Sequence, residues 1–87
     1  MHLDRNDIKA SIRAKVIELA RNLGMDASGV TDDAILPASG FLDSNAILEL
    51  VVWFETAYAF PIKQDEINID NLGSIDAMAD FLLARKS

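Results

Sequence analysis

The sequence predicts an all-α fold, a small four-helix bundle with a long loop between the first and second helices. Three observations carry this prediction. Apolar residues recur at helical spacing in separate stretches, glycine and proline divide those stretches, and no strand-like alternation competes with them. Because 87 residues leave no room for a second core, we expect one domain over 1–87, with its core over about 6–85.

The first helix is predicted over 7–23. Either Asn6 or Asp7 can cap its start, and Gly24 suits its end. Its apolar residues follow one face at intervals of three or four: Ile8, Ile12, Val16, Ala20 and Leu23.

A long connection is predicted over 24–42. Gly29, Pro37 and Gly40 lie there among Ser, Thr and Asp residues, which leaves room for no more than one helical turn. Ordered loops of this length are often functional.

The second helix is predicted over 44–58 and is expected to end because of Pro61. Its apolar stripe has the spacing i, i+3, i+4, i+7 of a helix packed on a core. The stripe consists of Ile47, Leu50, Val51, Phe54, Ala57 and Tyr58.

Two further elements are predicted after Pro61. Between Lys63 and Gly73, a short third helix or turn can be anchored by Ile67, Ile69 and Leu72. Ser74 is then expected to cap a last helix that ends in basic residues, as the helix dipole favours. The predicted core of the whole bundle is Ile12, Val16, Ala20, Leu23, Leu50, Val51, Phe54, Tyr58, Ile75, Met78 and Leu82, with Ala79 also on the last stripe.

Composition limits the possible functions. A net charge of -6 disfavours nucleic acid and anionic membrane surfaces and favours a basic protein partner. The longest apolar run, 50–54, is far shorter than a membrane span, and the N-terminus does not resemble a signal peptide. The chain has no cysteine and hence no disulfide framework. We therefore expect a soluble, cytoplasmic, monomeric protein.

Few residues offer chemistry. The only histidine, His2, lies in a terminus expected to fray, so a Ser-His-Asp hydrolase is not expected. The acidic run over 65–70 lacks the ligand pattern of a calcium loop, and Asp32 and Asp33 suit a turn better than acid-base catalysis. We expect neither a metal site nor an enzyme.

Ser44 is the exception, and two interpretations of it are open. Serine is a favoured helix N-cap, and Asp43 before it suits the positive end of a helix dipole. Alternatively, Ser44 is a site of covalent modification at an exposed helix start.

The surrounding segment, GFLDSNAILELVVWFETAYAFPI over 40–62, resembles the attachment segment of the acyl carrier and peptidyl carrier protein family. In that family a glycine and then Asp-Ser open a helix, which continues with an apolar residue, Glu-Leu and a late aromatic. Here the glycine is Gly40, and the pair is Asp43 and Ser44. The segment 48–50, Leu-Glu-Leu, matches the family's Val-Glu-Leu step, and 54–55, Phe-Glu, matches its Leu-Glu step. The late aromatic is Tyr58. The segment INIDNLGSIDAMADFL over 67–82 looks like the family's closing segment, so the resemblance spans nearly the whole chain.

The resemblance implies a four-helix fold of acyl-carrier-protein type and a 4'-phosphopantetheine arm on Ser44, next to Asp43. A phosphopantetheinyl transferase would transfer the arm from coenzyme A, and the arm would hold an acyl or aminoacyl group as a thioester. The implied partners are that transferase, an acyl or amino-acid loading ligase, and a downstream transferase. The chain itself would catalyse no reaction.

The sequence departs from the family after the modified serine, where Asn45 replaces the common Leu or Met. The outward face of the second helix also carries fewer acids than fatty-acid carriers have. These departures favour a specialised carrier for an amino acid or small acyl unit, served by its own ligase.

Partner enzymes are expected to dock on the outward side of the second helix. The inward stripe leaves five residues on or near that side: Asn45, Leu48, Glu49, Val52 and Glu55. Two of them, Leu48 and Val52, are apolar where a solvated face would be polar. The alternative is that these two pack beneath the long loop. At the level of function, the alternative is an acidic helical interaction module without a prosthetic group.

Overall fold

The structure, a computed structural model, describes residues 4–86. His2 lies outside the described residues. Within them the protein is all-α and contains no strand. In chain order the elements are α1 (Arg5–Asn22), α2 (Leu36–Ser39), α3 (Ser44–Ala57), a 3-10 turn (Gln64–Glu66), α4 (Ile69–Leu72) and α5 (Ile75–Lys86). The predicted fold class is confirmed at this level.

Three long helices, α1, α3 and α5, form the body of the molecule. Helix α1 packs against both α3 and α5, while α2 contacts α3 and α4 contacts α5. The predicted short third helix is divided into the 3-10 turn and the single turn of α4. The predicted long loop between the first and second long helices is present, and its one helical turn is α2.

The core lies between the long helices and is closed by the loop. Nine of the eleven residues predicted for it are buried, and ten others join them, all apolar: Ile8, Leu19, Ala27, Val30, Leu36, Leu42, Ala46, Phe60, Leu72 and Ala79. Four of the ten, Ala27, Val30, Leu36 and Leu42, come from the connection between α1 and α3. The loop is therefore part of the core and does not merely cross its surface.

Two residues of the predicted core are not buried. Leu23 is 44% exposed, because α1 ends at Asn22 and the chain leaves the helical path at Leu23 (ψ 5°). Tyr58 is only partly buried, since it is the C-cap of α3. Helical periodicity does not extend to residues outside the helix.

The helix ends also differ in detail from the prediction. Asp4 caps α1, accepting hydrogen bonds from the amides of Asn6 and Asp7, so neither of those residues is the cap. Helix α3 ends at Ala57, well before Pro61, and the chain then turns at Ala59 with φ 49°. Ser74 caps α5 as predicted, because its Oγ accepts a hydrogen bond from the Ala77 amide at 3.0 Å.

Over residues 4–86, no helix combines the length and the apolar character needed to cross a membrane.

Candidate functional site

Ser44 is the first residue of α3, and its neighbour performs the capping. The Asp43 backbone is extended, and its Oδ1 accepts a hydrogen bond from the Ala46 amide at 2.8 Å. The Asp43 carbonyl accepts the next bond, from the Ile47 amide at 3.0 Å. The interpretation of Ser44 as the N-cap is therefore wrong: the extended residue that precedes the helix, and whose side chain reaches back to it, is Asp43.

The Ser44 side chain is exposed, and its hydroxyl has no hydrogen-bond partner within residues 4–86. The amides of Ser44 and Asn45 likewise find no acceptor in this part of the chain. Free amides in the first turn of a helix favour a negatively charged group. The geometry thus presents an accessible hydroxyl beside unused backbone donors.

A shallow depression adjoins Ser44. Its walls are Pro37 and Leu42 from the connection and Ile47 and Leu48 from α3, with Asp43 at the edge. Pro37 and Ile47 also border a second, mostly apolar depression between α3 and α4. The remaining lining of that second depression is Val51, Ile67, Asn68, Ile69, Leu72 and Gly73. An apolar track therefore leads away from Ser44 toward α4.

The outward face of α3 is open to solvent. Leu48 and Val52 are 57% and 60% exposed, and Asn45 and Glu49 are exposed as well. The alternative in which Leu48 and Val52 pack beneath the loop is therefore wrong. Together with Lys15 of α1 and Trp53, these four residues line a shallow groove between α1 and α3. We call Asn45, Leu48, Glu49 and Val52 the open face.

Glu55 does not belong to the open face. Its side chain is half-buried, and Oε2 accepts a hydrogen bond from the Ile62 amide at 3.0 Å. This bond holds the segment that follows α3 against the helix. One carboxylate oxygen of Glu55 thus has a structural partner, and its role in docking stays a prediction.

Two of the acidic residues considered above for a metal site or for acid-base catalysis pair with cations of the chain. Asp32 pairs with Lys9 and Arg13, and Glu66 pairs with Arg85. No group of three or more His, Cys, Asp or Glu side chains suited to a metal ion occurs in the part of the chain that the structure describes.

Sequence reasoning missed two kinds of residue at the site. Pro37 and Leu42 line the depression only because the connection folds back on α3, and no periodic signal indicates this. The partners of Asp32 were more accessible to prediction. Arg5, Lys9 and Arg13 recur every four residues along α1, a spacing that places them on one face and calls for acids opposite.

The chain matches no protein-family model, no curated protein and no solved structure.

Proposed function

We propose that this chain is a carrier protein in which Ser44 bears a 4'-phosphopantetheine arm. One observation at the start of α3 carries the proposal. Asp43 caps the helix, and the exposed Ser44 hydroxyl has no hydrogen-bond partner within residues 4–86. A serine that served only as a cap would direct its oxygen at an amide of the first turn.

The surroundings of Ser44 suit such an arm. The amides of Ser44 and Asn45 can donate to the phosphate that links the arm to the serine, and the helix dipole favours negative charge there. Pro37, Leu42 and Ile47 offer apolar contact next to the attachment oxygen. When bound, the arm would supply a terminal thiol that carries the cargo as a thioester.

The helix arrangement supports a bundle of the acyl-carrier-protein type. The sequence segments that resemble this family fall on α3 and on the α4–α5 corner, with a long connection before the serine-bearing helix. In this proposal the chain is not an enzyme, and it acts as a cytoplasmic monomer that presents its cargo to others.

The open face is the proposed docking surface for the phosphopantetheinyl transferase, the loading ligase and the downstream transferase. Its exposed centre is apolar, through Leu48 and Val52, with Glu49 as its only ionised side chain. A surface with little charge favours partners that dock by apolar contact. This property supports a specialised carrier for an amino acid or small acyl unit over a fatty-acid carrier.

Mass spectrometry tests the proposal. Offered coenzyme A and a phosphopantetheinyl transferase of broad specificity, the chain should gain the mass of one phosphopantetheine. Ser44→Ala should abolish the gain, and Ser11→Ala, which alters an exposed serine on α1, should not. Peptide mapping should place the added mass on Ser44.

An acidic interaction module without a prosthetic group is the alternative, and the exposed Leu48 and Val52 would suit it equally. The same experiment separates the two functions. A folded chain that remains unmodified with several transferases, while a known carrier in the same tube is modified, would favour the module.

A further inference from the structure

The connection between α1 and α3, residues 23–43, is held to α1 near its middle by ion pairs. The Asp32 carboxylate lies 2.8 Å from Nζ of Lys9 and also pairs with the Arg13 guanidinium. Arg13 donates a further hydrogen bond to the Val30 carbonyl. Both cations come from one face of α1, so this single point of the loop is attached to two successive turns of the helix.

The same point is attached to α5. The Asp76 amide donates to the Asp32 carbonyl at 2.9 Å, and the Asp76 carboxylate lies 2.9 Å from Lys9 Nζ. A few residues farther on, the Leu36 amide donates to the Gly73 carbonyl at 2.7 Å. We call the set of Lys9, Arg13, Asp32 and Asp76 the loop latch.

The loop covers apolar surface and has a glycine with a positive φ near each end. Its buried side chains, Ala27, Val30, Leu36 and Leu42, are part of the core. Gly24 and Gly40 have φ values of 78° and 83°, a backbone region that glycine adopts without the steric cost of a side chain. Both glycines lie outside α1 and α3.

We propose that residues 24–40 open and close as one unit between Gly24 and Gly40, and that the loop latch sets how often the unit opens. Opening would expose the apolar underside of the loop and would move Pro37 away from the depression beside Ser44. This inference concerns the fold and does not depend on the modification of Ser44.

The ion pairs of the loop latch are partly exposed to solvent, so their attraction depends on the salt concentration. The Lys9 and Asp32 side chains are 18% and 34% exposed, so dissolved salt can screen their attraction. Arg5 adds to the same patch by pairing with Asp76 and with Asp80. Hydrogen bonds from Lys9, and then from Arg13, lower the pKa of Asp32, as expected for a carboxylate held between two cations.

Amide hydrogen exchange on the full chain tests the proposal. In Asp32→Asn, exchange at the amides of Leu36 and Asp76, whose hydrogen bonds join the loop to the rest of the fold, should accelerate by a common factor of about tenfold, while Val16 in α1 and Leu50 in α3 stay protected. Asp33→Asn is the matched control, since it makes the same change of charge one residue away. Asp33 is exposed and has no ion pair within residues 4–86, so its replacement should change exchange at the two amides by less than about twofold.

Ionic strength provides a second arm. Raising salt from about 0.05 M to about 0.5 M should accelerate exchange at the same two amides in the parent and leave Asp32→Asn nearly unchanged. Equal effects of Asp32→Asn and Asp33→Asn, or no response of the parent to salt, would overturn control by the latch. If exchange accelerated at Asp76 alone, residues 24–40 would not open as one unit. Equal acceleration at Val16 and Leu50 would show global unfolding and would overturn it as well.

Discussion

The Asp43 carboxylate lies 2.8 Å from the Ala46 amide, and this contact closes the first turn of α3 beside the exposed hydroxyl of Ser44. The residue that stabilises the start of α3, Asp43, is thus adjacent to the residue proposed for modification, Ser44. A change at Asp43 should affect the helix, whereas a change at Ser44 should affect whatever attaches there.

Substitutions at these two positions should separate the roles. Asp43→Ala should lower the free energy of unfolding by about 1 kcal/mol because the Ala46 amide loses its acceptor, while Asp43→Asn should retain most of the stability since asparagine is also a good cap. Ser44→Ala should change it by less than about 0.5 kcal/mol. Urea unfolding followed by circular dichroism measures all three. A loss in Ser44→Ala equal to that in Asp43→Ala would mean that Ser44 supports the helix.

Phe54 is the centre of the aromatic part of the core. It is fully buried, and its ring centroid lies 5.5 Å from that of Tyr58 and 5.7 Å from that of Phe60. Phe54→Ala should therefore cost about 3–5 kcal/mol, enough to unfold a domain of this size under mild conditions. Leu23→Ala should cost about 1 kcal/mol or less, since Leu23 is largely exposed. Melting curves of the two variants test whether the core has been correctly located.

The open face should matter for association more than for stability. Leu48→Ala and Val52→Ala should leave the melting temperature close to that of the parent and weaken binding to the loading enzyme. Leu23→Ala is the matched control for Leu48→Ala, because it removes the same atoms from an exposed leucine that does not line the groove of the open face. Glu49→Lys should weaken binding chiefly at low salt, as expected for a charge at the rim of an interface.

Binding titrations and melting curves are needed together for these variants. If Leu48→Ala destabilises the chain strongly while its folded fraction binds normally, Leu48 belongs to the core. In that case the docking surface lies elsewhere.

Acid should destabilise the protein through its paired carboxylates. Hydrogen bonds from Lys9 and Arg13 lower the pKa of Asp32, one from Arg5 lowers that of Asp80, and one from Arg85 lowers that of Glu66. Since each pKa is lower in the folded state, the unfolded chain binds more protons in acid. The contribution of these groups is complete above the ordinary values of 3.8 for Asp and 4.5 for Glu, and it is lost as the pH falls through the lowered ones.

Unfolding free energies measured between pH 7 and pH 2 test this expectation. The parent should lose stability below about pH 4, and Asp32→Asn should show a shallower decline because one titrating group has been removed. Asp33→Asn should follow the parent, since no cation pairs with Asp33 in residues 4–86. A parent curve that stays flat down to pH 2 would contradict the role of the ion pairs.

The helices could be predicted because their apolar residues repeat with the helical period: Ile12 and Val16 in α1 and Met78 and Leu82 in α5 are all fully buried. The loop could not be predicted in the same way. Val30 and Leu36 are buried by helices distant in sequence, and no local period reports such contacts. The last residues of the first two helical patterns were also misplaced, because Leu23 and Tyr58 follow the final helical turn.

The start of the second long helix was predicted in position but not in the detail of its cap. Asp and Ser are both favoured N-caps, so two adjacent candidates could be separated only by the backbone, which is extended at Asp43 and helical from Ser44 onward. The hydrogen bond of Glu55 was not predicted, for a similar reason. Its spacing places it near the outward face of α3, but the returning segment brings the Ile62 amide to its carboxylate.

Trp53 can serve as an intrinsic fluorescence probe. It is the only tryptophan in the chain, and its ring lies 6.3 Å from that of the only tyrosine, Tyr58. At this separation tyrosine transfers excitation to tryptophan efficiently. Trp53 also borders the groove beside Leu48 and Val52. A partner that covers the open face will therefore shift the emission maximum of Trp53, so binding can be followed without an attached dye.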